Sequence, residues 1–221
     1  DRFTGIVYDS RKIEPGCLFV CVRGFNIDGH NFAESAMEQG ASALITEHKI
    51  GDFPQWVVSD SRKALALAAH FFYQTPQNRP LIGITGTNGK TTITYFLFGL
   101  TRAFGLNAGL IGSTGARINE QFFPLQHTTP EAPIVDEIIA KSPPDTLFSM
   151  EVSSHALALH RTFGLHFQAA IFTNLTQDHL DFHADMAEYA QTKQKLFSQI
   201  SPNGTAIFNI DDTTGNRFYL Q

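Results

Sequence analysis

Two cysteines, Cys17 and Cys21, are all that the 221 residues contain. No disulfide framework and no cysteine-built metal centre can therefore organise the chain. Four apart on one predicted strand, they point the same way but lie too far apart to bridge, and they read as small core residues in a reducing compartment. No apolar run approaches the roughly 20 residues a helical membrane span needs, and no cleavable leader pattern is present. Positive charge is scarce: Lys and Arg total 16 against 21 Asp and Glu, a net charge of −5. That balance argues against a general binder of nucleic acid or of a membrane surface. Internal repeats and low-complexity tracts are also missing. What remains is a globular composition, 43% hydrophobic, sufficient for one large domain or two small ones and expected in the cytoplasm. Any anion chemistry must rest on a few local cations.

Residues 86–92 supply such a place. Gly86-Thr87-Asn88-Gly89-Lys90-Thr91-Thr92 follows an apolar run, Leu81-Ile82-Gly83-Ile84-Thr85, with the character of a buried strand, and a helix start is expected at 92–98. Strand, glycine-rich turn and Lys-Thr at a helix N-terminus make a phosphate cradle. The glycines let backbone N–H groups converge on phosphate oxygens, and the helix end adds partial positive charge. In that pattern Lys90 reaches the β- and γ-phosphates and the Thr91 hydroxyl holds Mg²⁺. Ile84 stands where the usual pattern has its first glycine, so the loop is a shortened variant.

Residues 1–78 suggest a small α/β domain, with strands near 6–8, 17–22, 43–46 and 55–58. Asn31 is the expected cap of a helix that Gly40 stops, and Asp60 or Ser61 caps another over 63–73. Asp9-Ser10-Arg11 follows a strand with no predicted helix after it, and is either a polar loop or a ligand loop. Gly24-Phe25-Asn26-Ile27-Asp28-Gly29-His30 could stack on a base. The polar stretch 75–80, with Pro76 and Pro80, has the composition of a linker. Residues 79–221 alternate strands (108–112, 146–150, 169–173, 206–209) with helices, plus a hairpin through 122–124. That alternation implies a mostly parallel sheet covered by helices, with ligands beyond the carboxyl ends of its strands. The Gly86 loop, Glu151 and the stretch 174–183 fall on that edge.

A carboxylate at the end of a second strand, Glu151, is the expected Mg²⁺ partner of Thr91. Asp178-His179-Leu180-Asp181-Phe182-His183 concentrates four potential ligands, and spacing does not choose among them. It is not a zinc pattern. On the helix from Asp185 to about Gln199, Met186, Tyr189, Ala190, Phe197 and Ile200 share one stripe, with Lys193 in its middle and Lys195 opposite. A lysine there must snorkel, find an anion or lose its charge, and snorkelling is the default. If buried, its amine could react with CO₂ to give a carbamate able to bind Mg²⁺.

Together these pieces resemble the Mur ligases, the ATP-dependent amide-forming ligases of peptidoglycan precursor synthesis. In the first part the resemblance rests on Asp9-Ser10-Arg11, Pro15-Gly16, Leu18-Phe19-Val20 and Asp28-Gly29-His30. In the second it rests on residues 86–92, Thr128-Thr129-Pro130, Glu151-Val152-Ser153-Ser154-His155, Thr173-Asn174-Leu175, residues 178–183, and Lys193 with Leu196-Phe197. The Glu151–His155 sequence followed by His160-Arg161 is similar to the branch that adds a diamino acid, diaminopimelate or lysine, to UDP-N-acetylmuramoyl-L-alanyl-D-glutamate.

The resemblance implies an α/β fold with an N-terminal UDP-binding domain (1–78), an incomplete central ATP-binding domain (79–221), and an acceptor domain absent from a truncated chain that would be inactive alone. It implies that Tyr8, Ser10, Phe25, Asn26 and Ile27 hold the UDP part and that Thr128, Thr129, Ser153 and Arg161 hold the muramoyl-peptide arm. Gly86, Thr87, Asn88, Gly89, Lys90, Thr91 and Thr92 would bind ATP. Thr91, Glu151, His179 and a carbamate on Lys193 would serve Mg²⁺, with Lys90, Lys193, Glu151 and His179 catalytic. A monomer is expected. His127 departs from the Asn that many relatives carry, and Leu159 from the Gln that some carry. Two other readings stay open: a folylpolyglutamate- or cyanophycin-type ligase, and a nucleotide-binding module without amide chemistry.

Overall fold

The computed structural model describes residues 3–24, 27–178 and 181–220, and the chain divides into two units, Asp1–Thr75 and Pro76–Gln221. In the first unit, short apolar runs form β1 (Ile6–Val7), β2 (Leu18–Val20), β3 (Ala43–Thr46) and β4 (Gln55–Val57), paired in that order and all parallel. A parallel sheet needs cover on both faces. Alternation along β2 shows how it is met. Cys17, Phe19 and Cys21 pack with Ala33 and Ala36 of α1 (Ala33–Glu38), while Leu18 and Val20 pack with Leu65 of α2 (Ser61–Tyr73). The strand expected over 17–22 is shorter, Leu18–Val20, and is buried on both sides, and both cysteines are buried and free.

Three caps differ from expectation or refine it. Asp28, not Asn31, opens the segment before α1: its carboxylate accepts the His30 N–H and starts a 3₁₀ turn, Gly29–Phe32, that leads into the helix. Asp60 caps α2 by accepting from the N–H groups of Arg62 and Lys63. Asp9 does the same for a 3₁₀ turn at Ser10–Lys12. Both Asp-Ser-Arg copies therefore cap a turn; after Asp9 this is a three-residue 3₁₀ turn and no α-helix follows.

The second unit holds β5 (Leu81–Thr85), α3 (Lys90–Ala103), β6 (Ala108–Gly112), β7 (Gly115–Ile118), β8 (Gln121–Phe123), α4 (Ala132–Lys141), β9 (Leu147–Glu151), α5 (Ser154–Ala158), β10 (Phe167–Phe172), α6 (Met186–Gln194), β11 (Ile200–Phe208) and α7 (Thr213–Tyr219). Its sheet runs β11-β10-β5-β9-β6-β7-β8. It is parallel from β11 to β6 and antiparallel from β6 to β8. Helix α3 starts at Lys90, two residues before the expected start, because Gly89 takes a left-handed φ of +86° as its N-cap. The helix expected to reach 199 ends at Gln194 and tightens into a 3₁₀ stretch, Lys195–Gln199. The polar stretch 75–80 is anchored at its end: the Arg79 guanidinium is buried and donates to the carbonyls of Pro143 and Ile139 after and within α4. No helix among the described residues is long and apolar enough to cross a membrane. Strand β5 lies between β9 and β10, so the loops leaving these three strands share one edge, where parallel sheets hold their ligands.

Candidate active site

Gly86 and Gly89 adopt φ of +144° and +86°, which L side chains rarely tolerate. At Gly86 a side chain is also excluded by space, since a Cβ would stand 1.9 Å from Thr173 Oγ1. The loop is tied to the segment after β10. Thr87 N–H donates to Asn174 O (2.8 Å), Asn88 N–H to Asn174 Oδ1 (3.0 Å), and Thr173 Oγ1 to Asn88 O (2.6 Å). Lys90 folds back over it, its ammonium donating to Gly86 O (2.9 Å) and Thr87 O (2.8 Å). Burial lowers the Lys90 pKa, while the charges of Glu151 and Asp178 act to raise it.

Glu151 ends β9 with only 1% of its surface exposed. Its carboxylate accepts from Thr91 Oγ1 (3.0 Å), from Ser113 N–H (3.0 Å) and from Ser113 Oγ (3.2 Å). Gly112 makes room for it: a Cβ there would lie 2.3 Å from Glu151 Oε1. A carboxylate beside a hydroxyl at a glycine-rich loop is a set of hard oxygen donors, the kind that fits Mg²⁺. Ser113 was not foreseen; the available signal was its position directly after a buried strand.

The residues expected to hold a substrate arm adjoin this carboxylate. Thr129 Oγ1 donates to Glu151 O (2.8 Å) and accepts from Ser153 N–H (3.1 Å), and the Thr128 hydroxyl lies 3.0 Å from Ser113 Oγ. Arg161 donates to Thr129 O at 2.9 Å, and its Nε pairs with Glu131 at 2.9 Å. Both side chains of that pair are under 15% exposed. Glu131 too was missed.

Lys193 does not snorkel. It is 1% exposed, its ammonium donates to Gly86 O at 2.8 Å, and it stands 4.4 Å from the centre of the Tyr189 ring. Burial, followed by repulsion from Lys90, brings its pKa down from 10.5 to about 7, against an upward pull from Asp178. The default failed because Lys193 on α6 faces the glycine-rich loop 86–92, whose Gly86 carbonyl gives the lysine a buried partner. His179 lies outside the described residues. Among those described, no three His, Cys, Asp or Glu side chains gather closely enough to hold a metal. His183 is buried, its ring 5.0 Å from that of Tyr189.

In the first unit Phe25 and Asn26 lie outside the described residues. Ile27 is exposed, Tyr8 packs against the sheet core, and Ser10 opens the 3₁₀ turn. Side chains reinforce the antiparallel bridge between Arg23 and Asp28. Arg23 pairs with Asp28 (3.4 Å) and Glu47 (3.2 Å). His30 Nε2 accepts the Glu47 N–H at 2.9 Å, which leaves Nδ1–H to donate to Asp28.

Residues 84–221 match the family described as "Mur ligase middle domain", and residues 2–73 match "Mur ligase family, catalytic domain". The UDP-N-acetylmuramoyl-L-alanyl-D-glutamate–2,6-diaminopimelate ligase of Chlorobium phaeobacteroides is 45% identical over 212 residues, 92% of this chain and 41% of that protein. The ligase of the same name from Bacillus velezensis is 41% identical over 225 residues, 97% of this chain and 46% of that protein. A solved structure of a ligase of that name superposes with a TM-score of 0.84 at 30% identity, covering 99% of this chain and 45% of the other. The chain thus spans less than half the length of the relatives it matches. With its middle-domain match covering well over half of its residues, the chain belongs to the Mur ligase family.

Proposed function

We propose that this chain is part of an ATP-dependent ligase that joins a diamino acid to the D-glutamyl carboxylate of UDP-N-acetylmuramoyl-L-alanyl-D-glutamate through an acyl phosphate. The observation that carries the reading is the meeting of Lys90, Thr91, Glu151 and Lys193 around one loop, in a chain 41–46% identical to ligases bearing that name.

The obstacle to the reaction is electrostatic: an anionic carboxylate must attack an anionic phosphate. Lys90 and the N-terminus of α3 would bind the β- and γ-phosphates of ATP and offset the charge that develops there. Thr91 and Glu151 would hold a Mg²⁺ ion, which when bound neutralises phosphate charge and aligns oxygens. Thr128, Thr129, Ser153 and Arg161 would orient the peptide arm beside Glu151. Lys193 has the properties a carbamate requires, because a pKa near 7 leaves much of its amine neutral at cellular pH. Its nitrogen lone pair would bond to the carbon of CO₂ while one N–H proton leaves to solvent, giving an anionic metal ligand. Tyr8, Ser10 and the loop carrying Phe25, Asn26 and Ile27 would hold the uridine diphosphate.

Binding separates the readings. Titrating the protein with Mg-ADP and with UDP-N-acetylmuramoyl-L-alanyl-D-glutamate should give saturable binding of both. Binding of the nucleotide alone would favour a module without amide chemistry or a ligase of the folylpolyglutamate type, and would overturn the proposal.

A further inference from the structure

Tyr189 lies on α6 one turn before Lys193, is fully buried, and touches both halves of the site. Its hydroxyl is 3.3 Å from Thr87 Oγ1 in the phosphate loop. Thr87 Oγ1 also accepts the Thr176 N–H at 3.0 Å and reaches Thr176 O at 3.2 Å. A hydroxyl has one proton and two lone pairs. The pattern closes when Thr87 donates to Thr176 O and accepts from both the Thr176 N–H and the Tyr189 O–H. At the other end, the Lys193 ammonium sits 4.4 Å from the Tyr189 ring centre while it donates to Gly86 O. The spacing of four on one helix stacks the two side chains on the same face.

We propose that Tyr189 is a positioning residue with two separable ends: its hydroxyl fixes the phosphate loop at Thr87, and its ring face holds the Lys193 amine against Gly86. This rests on reading the loop as a nucleotide site and Lys193 as a carbamate. A tyrosine that merely filled the core would affect melting temperature, but not nucleotide affinity and carbamate content in different patterns.

The experiment uses ¹³C NMR of protein equilibrated with ¹³C-bicarbonate, with Lys193→Ala as the blank, alongside calorimetric titration with Mg-ADP. Tyr189→Phe keeps the ring and should retain the carbamate signal, while its Mg-ADP Kd rises about fivefold for the lost hydrogen bond. Tyr189→Met removes both ends and should lose at least four-fifths of the carbamate signal as well. A Phe variant with Kd within twofold of wild type overturns the hydroxyl end. A folded Met variant with full signal overturns the ring end. Should Tyr189→Met fail to fold, Tyr189→Phe still decides, because loss of its carbamate signal would refute the division into two ends. A wild-type protein that binds Mg-ADP but gives no carbamate signal would sink the reading of Lys193, and the ring end with it. A wild type that does not bind Mg-ADP would sink the nucleotide reading itself.

Discussion

Replacing Lys193 with Met should stabilise the ligand-free protein at low pH, by an amount that shrinks as pH rises. The side chain is 1% exposed and its pKa falls from 10.5 to about 7. At about 1.4 kcal/mol per unit, that fall is a penalty of roughly 5 kcal/mol on the folded state when the amine is charged. The sign follows from which state binds the proton. Below pH 7 the lysine is protonated whether folded or unfolded, and the folded state bears the whole penalty. Between 7 and 10.5 the folded protein has released the proton while the unfolded chain keeps it, so stability rises with pH across that window. Urea unfolding in bicarbonate-free buffer should show the Met variant ahead of wild type at pH 6, with a lead about 3 kcal/mol smaller at pH 9. Far-UV circular dichroism is the right signal, because the single tryptophan, Trp56, belongs to the first unit. A lead that does not change between the two pH values would refute the argument that a buried ammonium is being paid for in this fold.

Lys90→Ala removes a charge-assisted donor and should raise the Mg-ADP Kd about 10- to 100-fold by calorimetry, with little change in melting temperature. Gly86→Ala drives a Cβ to within 1.9 Å of Thr173 Oγ1. It should abolish nucleotide binding and lower stability by about 3 kcal/mol in urea titrations. Glu131→Gln leaves Arg161 without its ionised partner and should cost about 2–3 kcal/mol by the same measurement. Thr91→Val should remove most of the Mg²⁺ dependence of ADP binding, read by titrating with and without the metal.

Much of this arrangement was legible in the chain. The glycine-rich loop 86–92 is written in a contiguous stretch, and the run Leu81–Thr85 before it is strand β5 at those same bounds. Glu151 could be placed because it ends an apolar run. Lys193 stood out as a charge inside an apolar stripe, although its fate was not legible. Whether such a lysine snorkels or stays depends on what faces the helix, and Gly86 is 107 residues away in sequence. The same reason hid Ser113 and Glu131: each matters through a partner on a distant element. Caps failed more locally. Asn31 and Asp28 are both good caps by type, and the choice of Asp28 is tied to His30, which also binds Glu47.

The Gly86 carbonyl accepts from two ammonium groups, those of Lys90 and Lys193. A carbonyl oxygen has two lone pairs, so this one is saturated. Left bare, it would repel any phosphate oxygen that approached. Covered twice over, it turns a locally negative point of the main chain into a base for cations. Deleting Lys90 would therefore do harm in two ways, by removing an attraction and by uncovering part of a repulsion that the ligand-free loop does not present.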